Sequence, residues 1–203
     1  MIRKFACPAA LFVFAISYAA VAEAGKFNKV LSPGDQAPEW TSLVGTDDKQ
    51  HSLADYKNAD VLVLVFTCNH CPVAIALEDR IIELQKDYAG KKVQVIAVNV
   101  NKGEDDDLDN MKERVTEKGF NFPYLFDPSQ AIARDYGARV TPDVVVLNKA
   151  RKVVYTGAID DNWKDATSVG HRYVRDAIDA TLGGQEPKVT ETRAEGCGIR
   201  YEK

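Results

Sequence analysis

The chain has 203 residues, 45% of them hydrophobic, and it contains only four cysteines. That length can bury a core unaided, and so few cysteines exclude a miniprotein held together by disulfides. A formal net charge of −4, with no run of basic residues, argues against nucleic acid or an anionic membrane surface as a partner.

The first 24 residues have the pattern of a signal peptide. The basic start MIRK precedes the apolar stretch FACPAALFVFAISYAAV, and AEA at Ala22–Ala24 has the small-x-small form of a cleavage site. The apolar stretch is shorter than the about 20 residues that a spanning helix needs. We therefore expect residues 1–24 to be removed and the mature protein to be periplasmic or secreted, without stable membrane insertion. An uncleaved N-terminal anchor is the alternative.

From about Pro33 to Gly184, predicted strands alternate with predicted helices. The run VLVLVFT (61–67) is apolar throughout, as in a strand buried on both faces. A helix is predicted from Pro72 to about Gly90, and it is followed by a second buried strand, KVQVIAVNV. The acidic segment DDDLDNMKERVTEKG then predicts a solvated helix with acids in its first turn.

The second half of the chain continues this alternation. After the extended FNFPYLFD and the short helix PSQAIARDYG, the strands DVVVLN and KVVYTGAI are separated only by KAR, which predicts an antiparallel hairpin. The final helix, SVGHRYVRDAIDATLGG, includes His171. We therefore predict one α/β domain, residues 33–184, with a central mixed β-sheet flanked by helices on both faces. Residues 185–203 are predicted to form a polar C-terminal tail.

Cys68 and Cys71 stand where the first buried strand gives way to a helix. Unpaired N–H groups and the helix dipole lower the pKa of a thiol at a helix N-terminus, where we expect Cys68. Two thiols three residues apart can close a disulfide, so we predict that Cys68 is the nucleophile and that Cys71 resolves the mixed disulfide. His70, when protonated, would favour the thiolate and make the couple more oxidising.

Other uses of the cysteine pair are less consistent with the sequence. Covalent haem attachment fails because Pro72, rather than histidine, follows Cys71. A structural zinc site would need Cys197 and a histidine as further ligands, but the chain has no second close pair. An inert structural disulfide stays open, although so small a loop removes little entropy from the unfolded chain. We predict no metal and no cofactor beyond a redox-active Cys68–Cys71 disulfide.

A Thr-Pro step, Thr141–Pro142, stands just before the predicted hairpin, and X-Pro bonds are the main place where cis peptides occur. A buried strand ending in C-x-x-C-P, a helix, the strand IAVNV, a late Thr-Pro and a final helix together resemble the thioredoxin-like superfamily. The resemblance extends to its exported redoxin branch, which includes the alkyl hydroperoxide reductase and thiol-specific antioxidant (AhpC/TSA) domains. It covers about residues 33–182.

This resemblance implies a thioredoxin-like fold and thiol-disulfide exchange with protein or small-molecule substrates. Electrons would pass to or from a partner thiol protein. It also implies that Pro142 is cis, faces the cysteine pair and, with Thr141, presents backbone to a bound substrate. The sequence departs from thioredoxin at Thr67, where thioredoxin has Trp, and in the dipeptide Asn-His, which is more like disulfide isomerases and periplasmic disulfide oxidases.

Two alternative functions come from other classes. A thiol peroxidase shares the redoxin resemblance, but Thr67 precedes Cys71 by four residues, where peroxiredoxins place Thr three before the peroxidatic cysteine. A copper-handling protein could use Cys68, Cys71 and either a histidine or Cys197, because soft thiolates select Cu(I).

Two further residues are candidates for accessory roles. Cys197 in the tail is either a resolving or relay thiol that folds back on the pair or an ordinary tail cysteine, and the sequence leaves both open. Glu78, two turns into the helix after Cys71, would accept a proton from Cys71 if it points inward; a solvated glutamate is the alternative.

Overall fold

The computed structural model describes residues 25–203, so the predicted signal peptide and Cys7 lie outside the described residues. The strands are β1 (Leu43–Gly45), β2 (Gln50–His51), β3 (Val61–Thr67), β4 (Val93–Asn99), β5 (Tyr124–Phe126), β6 (Val140–Thr141), β7 (Asp143–Asn148), β8 (Val153–Gly157) and β9 (Cys197–Gly198). The α-helices are α1 (Pro72–Asp87), α2 (Leu108–Lys118), α3 (Ala131–Asp135) and α4 (Tyr173–Leu182).

Seven strands form one mixed sheet in the order β2-β1-β5-β4-β3-β7-β8. The central strand β3 runs parallel to β4 and antiparallel to β7, and β7 and β8 form the predicted antiparallel hairpin. Because β3 has neighbours on both sides, its carboxyl end, where Cys68 follows, lies in the middle of the sheet edge.

The two faces of the sheet bury different sets of side chains. Alternate residues of β3 point to opposite faces, and all seven are buried. One face packs against α1, α2 and α4, and the other against α3, the segment before β1 and the end of the tail. Helices therefore cover both faces, which confirms the predicted layers and explains why β3 has no polar residue before Thr67.

Helix α1 starts at Pro72, as the sequence predicts, whereas α4 starts later than predicted. Cys71 is the N-cap of α1, so Cys68 precedes the helix instead of lying at its N-terminus. Proline favours the first helical position because its missing N–H is not needed there. Helix α4 starts at Tyr173, so His171 precedes it, with its ring stacked 5.8 Å from that of Tyr173.

The tail after α4 returns along the domain. Thr192 N–H donates to Thr156 O at 3.0 Å, and Ile199 N–H donates to Arg139 O at 2.9 Å. Between these anchors, β9 pairs antiparallel with β6 in a separate two-stranded sheet. The tail is polar in sequence, but it is packed on the structure. In the part of the chain that the structure describes, no helix is both long enough and apolar enough to cross a membrane.

Candidate active site at the cysteine pair

Cys68 and Cys71 lie together at the end of the central strand and are both free thiols. They pack in one buried cluster, close enough for each thiol to shift the pKa of the other. Thr141 holds them from the opposite side: its hydroxyl lies 3.1 Å from Cys68 Sγ, and its carbonyl accepts from Cys71 Sγ at 3.0 Å. The exposed fractions are 2% for Cys68 and 0% for Cys71. The structure thus brings the predicted pair and Thr141 into one buried cluster.

The peptide bond between Thr141 and Pro142 is cis, as the resemblance implied. Beside Pro142 is a cavity of about 230 Å³ between α1, the segment after β8 and the tail. Leu77, Trp163 and Tyr173 contribute rings and aliphatic groups to its lining, and Glu195 contributes a carboxylate. This cavity offers space for a substrate side chain next to the Thr-Pro step.

Cys197 joins the cluster from the tail. It lies opposite Thr141 in the β6–β9 register, and its backbone N–H donates to Cys71 Sγ at 3.3 Å. Its side chain packs against the cluster of Cys68 and Cys71. We expected Thr141 to present its backbone edge to a substrate. In the structure this edge is instead paired with β9 of the chain's own tail.

The interaction between the paired thiols shifts their pKa values in opposite directions. The Cys68 thiol donates to Cys71 and lowers the pKa of Cys71, and donors from Cys197 and the backbone N–H of Ala74 act in the same direction. The same bond raises the pKa of Cys68, together with burial and the nearby Asp106 carboxylate. We expected the lower pKa on Cys68; the structure lowers that of Cys71 instead, because Cys68, Cys197 and the helix backbone at Ala74 all favour its thiolate.

Asp106 anchors the loop between the two cysteines. Its side chain is fully buried, and Oδ1 accepts from the Asn69 backbone N–H at 2.8 Å and from the Asn99 amide at 3.0 Å. His70 Nδ1 donates to Oδ2 of the same carboxylate. The sequence analysis missed Asp106, because the run DDDLD does not distinguish the one buried acid from its solvated neighbours.

One set of possible metal ligands lies at this loop. In residues 25–203, ligand atoms of Cys68, His70 and Asp106 lie within 4.8 Å of one another. The Asp106 carboxylate already accepts hydrogen bonds from His70, Asn69 and Asn99. A metal would have to break the His70–Asp106 contact, so the contacts favour a role in holding the loop.

Glu78 is buried, with 4% of its surface exposed, so the expectation of a solvated glutamate is wrong. Both carboxylate oxygens accept from Arg114, at 2.8 Å each, and Lys118 Nζ lies 3.6 Å away. The carboxylate that we considered as a proton acceptor for Cys71 is instead paired with this arginine. Its surroundings indicate a structural role between α1 and α2.

Asp143, directly after Pro142, should make the protein less stable as the pH rises. Burial raises the pKa of its carboxyl from 3.8 to about 7 in the folded chain. The folded state therefore binds more protons than the unfolded state between these values, so the free energy of unfolding falls across that interval. The side chain is half-buried, so solvent screens part of this effect. We expect Asp143→Asn to raise the free energy of unfolding by about 2 kcal/mol relative to the wild type at pH 8 and to leave it unchanged near pH 3.

Urea unfolding across this pH range measures the effect of Asp143→Asn. Asp135→Asn, which replaces an exposed acid at the end of α3, serves as the control and should leave the pH profile unchanged. Parallel profiles for the wild type and Asp143→Asn would contradict the raised pKa of Asp143.

The chain is similar to several known proteins in sequence and fold. The redoxin family profile matches residues 32–171. An uncharacterized conserved protein from Geobacillus kaustophilus is 33% identical, over 85% of this chain and 93% of that one, with a TM-score of 0.79. A hypothetical protein from Sinorhizobium meliloti is 30% identical, over 85% of this chain and 96% of that one, also with a TM-score of 0.79.

A third solved structure is a candidate thiol:disulfide interchange protein, DsbE, from Chlorobium tepidum. It is 25% identical, over 62% of this chain and 84% of that one, with a TM-score of 0.56. No curated protein sequence matches the chain.

Proposed function

The chain belongs to the redoxin family of thioredoxin-like oxidoreductases, and from that premise we propose that it is an exported thiol-disulfide oxidoreductase working through Cys68 and Cys71. The observation that carries this proposal is the packing of the two thiols in one buried cluster, where Thr141 contacts Cys68 Sγ at 3.1 Å and Cys71 Sγ at 3.0 Å. Thiols in contact can interconvert with a disulfide without rearranging the fold. The signal-peptide pattern of residues 1–24 supports export.

The exchange starts when Cys71, whose pKa is the lower of the two, has lost its proton. Cys68 Sγ then attacks one sulfur of a substrate disulfide while its proton passes to the Cys71 thiolate. The substrate S–S bond breaks, a mixed disulfide forms at Cys68, and the first substrate sulfur leaves as a thiolate. Cys71 gives its proton to that thiolate and attacks Cys68 Sγ, which forms the Cys68–Cys71 disulfide and releases the second substrate sulfur. The substrate gains two electrons and the pair loses two, and the reverse steps oxidise a dithiol.

A redox titration against glutathione tests this function, with alkylation and mass spectrometry scoring each cysteine separately. We expect Cys68 and Cys71 to titrate together as one two-electron couple. Cys197→Ser is titrated in parallel to keep the tail thiol from contributing. A pair that stays reduced or stays oxidised across the whole range would contradict the proposal. Rapid oxidation of a single cysteine by micromolar peroxide would favour a thiol peroxidase instead.

His70→Asn should make the couple more reducing. A nitrogen of His70 lies within 4.8 Å of Cys68 Sγ, so a protonated imidazole stabilises a thiolate and with it the reduced state. Asparagine keeps a donor toward Asp106 but carries no charge. We expect the midpoint potential to fall by about 30 mV, measured in the same glutathione titration. An unchanged or higher midpoint would show that the imidazole does not tune the couple.

A further inference from the structure

Cys197 differs from the paired cysteines in its access to solvent. Cys68 and Cys71 are almost completely buried, whereas Cys197 is half-buried, so it is the most exposed of the three thiols in the described part of the chain. It also contacts the pair directly: its backbone N–H donates to Cys71 Sγ at 3.3 Å, and its side chain packs against the cluster of Cys68 and Cys71. Cys197 therefore connects the buried pair with the surface.

The backbone fixes Cys197 in this position. Gly196 has φ +157°, and a Cβ on it would lie 2.0 Å from Thr141 O, so only glycine allows the tail to approach this closely. The bonds from Thr192 to Thr156 and from Ile199 to Arg139 hold the tail before and after this point. The contact between Cys197 and Cys71 is therefore part of the fold and not the chance position of a loose end.

We propose that Cys197 is a third redox-active thiol, which takes the disulfide over from Cys68 by attacking Cys71. This inference rests on the proposed function, because it starts from the oxidised pair. The Cys197 thiolate attacks Cys71 Sγ, the Cys68–Cys71 bond breaks and a Cys71–Cys197 bond forms. Cys68 leaves as a thiolate and takes up the proton that Cys197 lost. No electrons are gained or lost, and the step is reversible.

The step lets the substrate and the external reductant react at different sulfurs, the substrate at Cys68 and the reductant at Cys197. Once the disulfide lies between Cys71 and Cys197, Cys68 is again a free thiol, next to the Thr141 hydroxyl. An external dithiol, the class of reductant that must restore the enzyme, can then attack the more exposed Cys197 sulfur. In the reduced protein the hydrogen bond to Cys71 raises the pKa of Cys197 to about 11. Cys71 no longer raises the pKa of Cys197 once Cys71 is in a disulfide. A larger fraction of Cys197 is then thiolate, the form that attacks Cys71.

The first test is a partial oxidation of the full wild-type protein with diamide, followed by acid quenching and alkylation. If the proposal holds, Cys71 is in every intramolecular disulfide. The loss of label at Cys71 then equals the summed losses at Cys68 and Cys197, and peptide mapping finds both disulfides. If Cys197 stays fully labelled while Cys68 and Cys71 lose label equally, the proposal is overturned.

Serine variants separate this inference from the proposed function. Cys68→Ser should form the Cys71–Cys197 disulfide with diamide at least about tenfold faster than Cys71→Ser forms Cys68–Cys197, because only the first pair is held in contact. Cys197→Ser keeps only the pair on which the proposed function depends. If it forms Cys68–Cys71 but Cys68→Ser forms no disulfide, the inference alone fails; if it cannot form Cys68–Cys71, the proposed function fails.

Two glycine variants test the role of tail geometry. In the Cys68→Ser background, Gly196→Ala forces the tail away from Thr141 and should slow formation of Cys71–Cys197 at least about tenfold. Gly198→Ala adds a Cβ in open space and should leave the rate unchanged. Equal rates in the two variants would show that the position of the tail does not matter, which contradicts the proposal. Circular dichroism confirms that each variant is folded.

Discussion

Replacing Cys68 by serine should lower the rate of disulfide reduction at least about 1,000-fold, because a serine hydroxyl does not ionise near neutral pH and forms no stable bond to sulfur. Cys71→Ser should behave differently. It retains the attacking thiol and lacks the resolving one, so it should accumulate a mixed disulfide with the substrate. Turnover of a fluorescent disulfide with a dithiol as reductant, together with mass spectrometry of the quenched protein, measures both effects.

The opposite pattern would assign the attack to the other sulfur. The structure lowers the pKa of Cys71 and raises that of Cys68. If Cys68→Ser accumulates the mixed disulfide and Cys71→Ser does not, Cys71 is the nucleophile, and the scheme in which Cys68 attacks is wrong. Thr67→Ser, a conservative change just before the pair, serves as a control and should keep at least about half of the activity.

Replacing Arg114 by methionine should destabilise the protein by about 3 kcal/mol. The variant leaves the Glu78 carboxylate buried with only Lys118, 3.6 Å away, as a charged partner. Removing one member of a buried pair is costly because the remaining charge has lost its compensation. Urea unfolding measures the free energy, and the melting temperature should fall by about 6–12 °C.

An exposed ion pair of the same arginine provides the matched control. Arg114 binds the exposed Glu117 at 3.0 Å, and Glu117→Gln should lower the free energy of unfolding by less than about 0.5 kcal/mol. The double variant Glu78→Gln, Arg114→Met should be more stable than Arg114→Met alone, since it carries no buried charge. A loss below about 1 kcal/mol in Arg114→Met would mean that Lys118 moves in and replaces the arginine.

The sequence was sufficient for the elements whose signal is local. The uninterrupted apolar run at 61–67 predicted β3 with its observed bounds, and the short connection KAR predicted the β7–β8 hairpin. The motif C-x-x-C-P and the Thr141–Pro142 step predicted the cluster of two thiols and a threonine, because the family resemblance supplied the long-range contact. The layers of the fold followed from the alternation of strands and helices.

Features set by distant contacts could not be predicted. Asp106 is buried because Asn69 and Asn99 donate hydrogen bonds to its carboxylate. Both asparagines lie outside the acidic run, so the run itself does not show which of its acids is buried. Strands β6 and β9 have only two residues each, too few for any periodicity, and they form because they pair with each other. The start of α1 has a local cause, Pro72, but which of the two thiols has the lower pKa depends in part on donors from the distant tail.

The contact between Cys71 and Cys197 joins residues 126 positions apart in the chain. Contacts between residues far apart in the chain carry a larger loop-closure cost than local ones, so the sheet and Cys68–Cys71 can assemble before the tail docks. During that interval the pair lacks its cover, and thiols of other proteins can reach it. Docking of the tail is therefore a late maturation step, and a nascent or C-terminally truncated chain should react with bulky alkylating reagents that the finished protein excludes.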